Sequence, residues 1–236
     1  MLSSRTLGLV GGTSPFSTVE YYLDIVRMHR ERYGDSSFPR MVIASVSFQE
    51  IVDCQHAGDW DRIAALLQRE FDALAAAGSD IVALTANTLH RLLPQLHTDR
   101  EVVTVHEAIA VDARARGAKT LGLTGTRFTM EDPLYRGALE SSGLAVIVPN
   151  ECQQDTIHEL IFGNLVRGVA TEDDGRAFEA ICLDLFGAGA DAVLLGCTEL
   201  KLLPLSSATT ERAIDSAHVH AKLLWERAIQ SAPLAV

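Results

Sequence analysis

Two stretches of this chain leave an apolar run in nearly the same way. Asp80-Ile81-Val82-Ala83-Leu84-Thr85-Ala86-Asn87-Thr88 and Asp191-Ala192-Val193-Leu194-Leu195-Gly196-Cys197-Thr198 each open with an aspartate behind a Gly/Ala-rich turn. Each then runs through four apolar residues, exits into small polar ones and soon reaches Leu-Leu-Pro, at Leu92-Leu93-Pro94 and Leu202-Leu203-Pro204. Upstream, Thr120-Leu121-Gly122-Leu123-Thr124-Gly125-Thr126 mirrors Thr6-Leu7-Gly8-Leu9-Val10-Gly11-Gly12. Short apolar strands resemble one another by chance, but the aspartate, the apolar four and the polar exit together do not. Unbroken apolar runs fit strands buried on both faces, and their alternation with helix-period segments gives βαβ units. The expected fold is therefore α/β, with two pseudo-symmetric βαβ-rich domains related by duplication, each holding a parallel sheet. Ligand groups belong at the carboxyl ends of the strands, which places the expected active site in the cleft between the domains. The first half is expected at residues 1–99 plus a C-terminal helix at 207–236, and the second at 105–206.

Individual elements follow from spacing. Leu7 to Val10 reads as a strand, and Pro15 suits the first turn of a helix continuing from Thr18 to Arg30, with Val19, Tyr22, Leu23 and Val26 at helical intervals. Met41 to Val46 is a second strand. Asp59 to Ala77 is amphipathic, with Ile63, Leu66, Leu67, Phe71 and Leu74 on one face and Gly78 as its stop. Ile81 to Leu84 is a third strand leading into another helix. In the second half, helices are expected near Asp132 to Ser141 and from Asp173 to Phe186, with strands at Leu144 to Val148 and Ala192 to Leu195.

Composition narrows the function. Of 236 residues, 47% are hydrophobic and 22% charged, enough for a full core and incompatible with a mainly disordered chain. Twenty Lys and Arg against 31 Asp and Glu leave a net charge of −11, which argues against nucleic acid or an anionic membrane as partner. No apolar run reaches the roughly 18 residues of a membrane span, and Met1-Leu2-Ser3-Ser4-Arg5 lacks the pattern of a signal peptide. Cys54, Cys152, Cys182 and Cys197 show neither CxxC nor metal-type spacing and read as free thiols of a reducing cytoplasm, with no metal expected.

Under the duplication Ala86 stands where the second half has Cys197. Both follow a buried strand and open a helix, where backbone N–H groups favour negative charge. A thiol at such a point is expected to have a lowered pKa, making Cys197 a thiolate near neutral pH. Cys54, Cys152 and Cys182 are expected to be inert and buried. Cys182 sits beside Ile181 and Leu185 in a helix.

The chain resembles the aspartate/glutamate racemase superfamily, most closely its aspartate racemase branch. The resemblance covers nearly the whole length. It rests on Gly11-Gly12-Thr13-Ser14-Pro15 with Ser17-Thr18 and Tyr21-Tyr22, Asn87-Thr88-Leu89-His90, Thr124-Gly125-Thr126, Gly196-Cys197-Thr198-Glu199-Leu200, and Asp215 with His220. It implies a homodimer that inverts the α-carbon of aspartate or glutamate without cofactor or metal, using two cysteines on opposite faces of the substrate. Inversion needs a base on one face and an acid on the other, which two matched thiols supply. The family pattern puts one of those cysteines immediately before Asn-Thr, and here that residue is Ala86, which has no proton to give or take.

Three explanations of Ala86 are open: a substitution made at this position, a naturally atypical site related to L-specific relatives with threonine there, or a one-thiol enzyme protonating a single face. The first two go with a racemase in which Cys197 is the surviving acid/base and the third with a decarboxylase of malonate-type acids, while a non-catalytic amino acid sensor on the same fold is a separate alternative. Asn87, Thr88, Thr198 and Thr13 are candidates for the substrate α-carboxylate, with helix capping as their structural alternative, and Gly12 and Thr126 are candidates for substrate binding. Gln49 and Arg167 are candidates for the distal carboxylate. His90 and Glu199, just past the two exchange positions, would tune proton chemistry or buttress the site, with Asp215 and His220 beside them. His218 is expected to be exposed, and Glu20, His56, Trp60 and the Arg27 to Arg32 stretch to serve surface or packing.

Overall fold

A computed structural model describes residues 4–230. The segment Met1-Leu2-Ser3 that entered the reading of the N-terminus, and residues 231–236 of the expected C-terminal helix, lie outside the described residues. The chain divides into two compact units, one taking in the chain up to Thr104 and again from His220, the other Val105–Val219.

The first unit comprises β1 (Leu7–Gly11), α1 (Pro15–Tyr33), β2 (Met41–Ser45), α2 (Phe48–Ala57), α3 (Trp60–Ala76), β3 (Ile81–Leu84), a 3-10 helix at Thr88–Gln95 and β4 (Glu101–Val102). The second comprises α4 (Val105–Ala115), β5 (Thr120–Thr124), α5 (Arg127–Met130), α6 (Pro133–Ser141), β6 (Ala145–Ile147), α7 (Glu151–Gly163), a 3-10 helix at Leu165–Arg167, α8 (Glu172–Gly187), β7 (Ala192–Leu195), a 3-10 helix at Thr198–Leu202, α9 (Ser207–Glu211) and β8 (Ala213–Asp215). The last helix, α10 (Ser216–Ile229), starts in the second unit and passes into the first at His220.

Each unit holds a four-stranded sheet, with orders β2-β1-β3-β4 and β6-β5-β7-β8, and every pairing is parallel. The identical order is what a duplicated βαβ plan gives. The matched aspartates now have a physical role. Asp80 accepts the Thr6 backbone N–H at 2.7 Å. Asp191 accepts those of Lys119 and Thr120 at 2.8 and 2.9 Å. Each carboxylate thus pins the entry of the neighbouring central strand, β1 or β5. These backbone N–H groups hold Asp191 below the usual carboxylate range.

Both cores form where amphipathic helices cover a sheet. In the first, Ile63, Leu67, Phe71 and Leu74 of α3 pack with Ile51 and Cys54 of α2 over Val10, Val82 and Leu84. Asp59 starts α3 by accepting the Arg62 N–H at 3.1 Å. In the second, Phe178, Ile181, Cys182 and Leu185 of α8 meet Ile157 and Ile161 of α7 over Val193 and Leu195. Burial of side chains this size stabilises by roughly 1.5–3 kcal/mol each, so the helices hold through these faces.

Three expectations need correction. The helix after β3 is a 3-10 helix containing Pro94, which has no N–H to donate to an α-helical ladder. Residues 207–219 belong with the second unit rather than the first, because Ala213, Ile214 and Asp215 pair with Val193, Leu194 and Leu195. Cys152 is exposed in the first turn of α7, whereas Cys54 and Cys182 are buried. Burial pushes the Cys182 thiol up to about 12.

Candidate active site

In the first unit the carboxyl end of β1 runs into a turn that only particular residues can make. Gly12 has φ +92°, and a Cβ there would lie 2.2 Å from the Val46 carbonyl oxygen. Its N–H is taken by Thr18 Oγ1 at 2.9 Å. Ser14, at φ +96°, is the one described non-glycine residue with positive φ, a strained conformation of the kind that collects at functional turns. It caps α1 by accepting the Ser17 N–H at 3.3 Å, with Pro15 in the first turn. Between them, Thr13 holds a buried Oγ1 with no hydrogen-bond partner among the described residues.

The carboxyl end of β3 is tied back to β1. Thr85 donates to the Val10 carbonyl through both its N–H, at 3.0 Å, and its hydroxyl, at 3.1 Å. Ala86 follows, with half-buried Asn87 and Thr88 opening the 3-10 helix. The Ala86 carbonyl accepts from His90 Nδ1 at 3.0 Å. Since a carbonyl only accepts, Nδ1 carries the hydrogen. Burial pushes the His90 imidazole down to about 4, so it is neutral at ordinary pH. Its ring meets that of fully buried His220 edge-on, 5.7 Å between centroids. His220 Nε2 donates to the Val103 carbonyl at 3.0 Å, and its Nδ1 accepts from the Tyr21 hydroxyl at 2.9 Å. The sequence-predicted His90 and His220 therefore stand together in the first unit.

In the second unit, β5 ends at Thr124, whose hydroxyl donates to the Leu194 carbonyl at 2.8 Å. Gly196, past β7, donates its N–H to the Thr124 carbonyl at 2.9 Å, and a Cβ there would lie 2.5 Å from that oxygen. The close approach explains the glycine and fixes where Cys197 begins. Cys197 is half-buried, and its thiol donates to Glu199 Oε2 at 3.0 Å. The Thr198 hydroxyl donates to the same oxygen at 2.8 Å. Desolvation, reinforced by the Glu199 carboxylate, raises the Cys197 thiol well above its ordinary value. This corrects the expected thiolate. The helix that follows is a five-residue 3-10 segment with little dipole to offer, and a carboxylate sits directly on the sulfur. In its resting state Cys197 is a protonated thiol.

The remaining candidates separate. Thr126, half-buried ahead of α5, shares a 3.4 Å contact with the Thr129 hydroxyl. Arg167 is exposed, donating to Asn164 Oδ1 at 3.3 Å, and its short helix packs against the Thr198–Leu202 helix. Gln49 is exposed on α2 and donates to Asp53 at 2.8 Å, at the edge of a hollow of about 510 Å³ also lined by Glu50, Asp59 and Arg62. Asp215 accepts the Ala217 and His218 N–H groups at 3.0 and 3.2 Å at the start of α10. His218 is exposed. A cation that sequence reasoning passed over is Arg127, immediately after Thr126. Asp155 and Glu131 hold it at 2.7 and 2.6 Å and, with Asp155 foremost, keep its pKa raised. Its place one residue past Gly125-Thr126 is the signal that could have found it. Among the described residues, no group of three or more His, Cys, Asp or Glu is placed to hold a metal ion, and no helix is long and apolar enough to cross a membrane.

The two-unit parallel α/β fold has counterparts among known proteins. Residues 10–224 match the family described as Asp/Glu/Hydantoin racemase. The fold is similar to that of a proposed Asp/Glu racemase from Yersinia pestis, at 30% identity and TM-score 0.90 over 96% of this chain and 100% of that one. It is similar also to an aspartate racemase homologue from Pyrococcus horikoshii, at 30% identity and TM-score 0.82 over 95% and 99%. Picrophilus torridus aspartate racemase shares the fold at 21% identity, with TM-score 0.70 over 95% of this chain and 94% of that one. The chain belongs to the Asp/Glu/hydantoin racemase family.

Proposed function

We propose that this chain is an amino acid racemase-type isomerase working without cofactor at the α-carbon of aspartate or glutamate, with Cys197 as acid and base on one face. Ala86 occupies the position of its missing partner. The observation that carries this reading is the 3.0 Å hydrogen bond from the Cys197 thiol to Glu199.

Abstraction of a weakly acidic Cα–H needs a thiolate, and Glu199 is placed to take the thiol proton when the base is required. The resulting thiolate removes the α-proton, and the protonated sulfur returns one to the same face. Thr13, Asn87, Thr88, Thr126 and Thr198 are the proposed holders of the α-carboxylate. The unpartnered Thr13 hydroxyl supports this, since a buried donor without a partner is costly until something accepts from it. Arg167 and Gln49 are the proposed contacts of the distal carboxylate. Because the methyl of Ala86 carries no exchangeable proton, this chain exchanges the α-proton of one enantiomer with retention and is impaired in inversion.

The test is proton NMR of L- and D-aspartate and L- and D-glutamate in heavy water. Exchange without inversion is expected for one enantiomer, inversion is expected to appear in Ala86→Cys, and Cys197→Ser is expected to lower exchange by about 10²–10⁴-fold. Exchange that survives Cys197→Ser undiminished, or an Ala86→Cys variant inactive on both amino acids, would overturn the proposal.

A further inference from the structure

The helices α1 and α10 both lead away from the residues gathered at the carboxyl ends of β1 and β3. α1 begins two residues past Thr13 and ends at Tyr33, and α10 carries His220 in its second turn and ends at Ile229. Where both helices end, Tyr33 and Ile229 share a hollow of about 370 Å³ with His29, Asp35, Ser37 and Phe38. This is the amino end of β1. Arg5, two residues before the strand, donates its N–H to the Ala228 carbonyl at 2.9 Å, and Leu7 donates to that of Arg40 at 2.9 Å. The hollow is thus separate from the candidate active site, and its volume lies within the roughly 300–1,000 Å³ of small-ligand pockets.

Three rings and a carboxylate define its chemistry. The buried His29 ring lies 4.6 Å from that of Tyr33 and 5.8 Å from that of Phe38. His29 Nδ1 accepts the Trp225 indole N–H at 3.3 Å. An indole only donates, so the His29 ring hydrogen is on Nε2, which donates to the Ser37 hydroxyl at 3.2 Å. Ser37 passes its own hydroxyl hydrogen to Asp35 Oδ1 at 2.5 Å and gives its backbone N–H to the same oxygen at 2.9 Å. The relay leaves His29 uncharged, and both bonds to Asp35 fall on Oδ1, so Oδ2 is open. Among the described residues no Lys or Arg lines the hollow. Arg32, outside it, already holds its guanidinium 5.6 Å from the centre of the Tyr33 ring, the contact that a cation makes with an aromatic face. A carboxylate repels an anion, and a neutral polar molecule gains little from three ring walls. We propose that this hollow binds a small organic ammonium ion with an aromatic body, its N–H groups on Asp35 Oδ2 and its ring against His29, Tyr33 and Phe38.

Proton–nitrogen NMR of the full chain, titrated with 2-phenylethylammonium, tests this without reference to any catalytic activity. The Trp225 indole N–H reports on the hollow through its bond to His29, and Trp60, the second of the chain's two tryptophans, serves as the control. The Trp225 signal is expected to shift to saturation while that of Trp60 stays in place, and excess aspartate is expected not to displace the amine. Asp35→Asn keeps an acceptor for Ser37 while removing the charge, and is expected to weaken binding by about tenfold or more. The uncharged 2-phenylethanol is expected to bind the native chain more weakly by a similar factor. Phe38→Ala, at an exposed position, is expected to weaken the amine by about fivefold. A Trp225 signal that does not saturate, the alcohol binding as well as the amine, or affinity unchanged in Asp35→Asn would overturn the proposal.

Discussion

The carboxyl ends of β3 and β7 share a scaffold and differ in chemistry. In each unit a threonine hydroxyl ties the two central strands together, Thr85 onto Val10 and Thr124 onto Leu194. In each, an aspartate pins the entry of the central strand. Beyond the strands the likeness stops. The first unit presents a methyl group at Ala86, backed by a neutral histidine that holds the Ala86 carbonyl. The second presents a thiol bonded to a carboxylate. The two hydroxyls stand at non-matching positions. What the duplication has kept is the backbone bond before the exit residue, Thr85 N–H to the Val10 carbonyl and Gly196 N–H to the Thr124 carbonyl, while the side chain placed there has been released. The fold positions a reacting group, and the identity of that group is a separate choice.

The largest effect expected from probing this contrast lies in the first unit. His90 titrates near 6.5 in the unfolded chain and at about 4 when folded, so the unfolded state binds its proton first. Stability is complete above about pH 6.5 and is lost as pH falls from there toward 4, by about 3 kcal/mol in all. Urea unfolding at pH 7.5 and 4.5 should show that loss, and His90→Gln should remove it. An equal loss in the variant would mean that His90 is not held neutral by burial.

The second unit gives the next effect. Glu199→Gln removes the negative charge beside Cys197, so the thiol pKa should fall and the alkaline limb of α-proton exchange should move to lower pH. The maximal rate should drop about 10²-fold, since the acceptor of the thiol proton is lost while the thiol itself remains. A limb that stays in place, or moves upward, would break the thiol–carboxylate half of the comparison. The smallest effects test the shared scaffold. Thr85→Val and Thr124→Val should each cost about 1 kcal/mol by denaturant unfolding, because each deletes one buried hydroxyl hydrogen bond. The two costs should match within a factor of about two; a wide disparity would mean the two units are not held by equivalent ties.

What could be read from the sequence follows the same division. The central strands were legible because parallel strands buried on both faces leave unbroken apolar runs such as Ile81 to Leu84 and Ala192 to Leu195. The edge strands β4 and β8, two and three residues long, are too short to show a period, so the sequence carries no sign that residues 207–219 go with the second unit. The helix α7 is signalled in the sequence only by its Asn150–Gln153 capping box. The pairing of Ala86 with Cys197 is legible in the repeat, whereas the role of position 86 rests on the family resemblance. The ionisation of Cys197 is not legible, because it depends on where the Glu199 side chain points rather than on which helix follows. The capping bond from the Ala217 N–H to Asp215 is a local role that a single aspartate does not advertise in the sequence.

The route of the chain has a further consequence, for the order in which the protein is made. The second unit is one continuous stretch, Val105–Val219, whereas the first is interrupted by it and closes only with the chain from His220 onward. A ribosome therefore releases everything the second unit needs before it has released the last helix of the first. The Tyr21–His220 hydrogen bond joins residues 199 apart and has to wait for that helix. During synthesis the half bearing Cys197 can be complete while the half bearing Ala86 is still open.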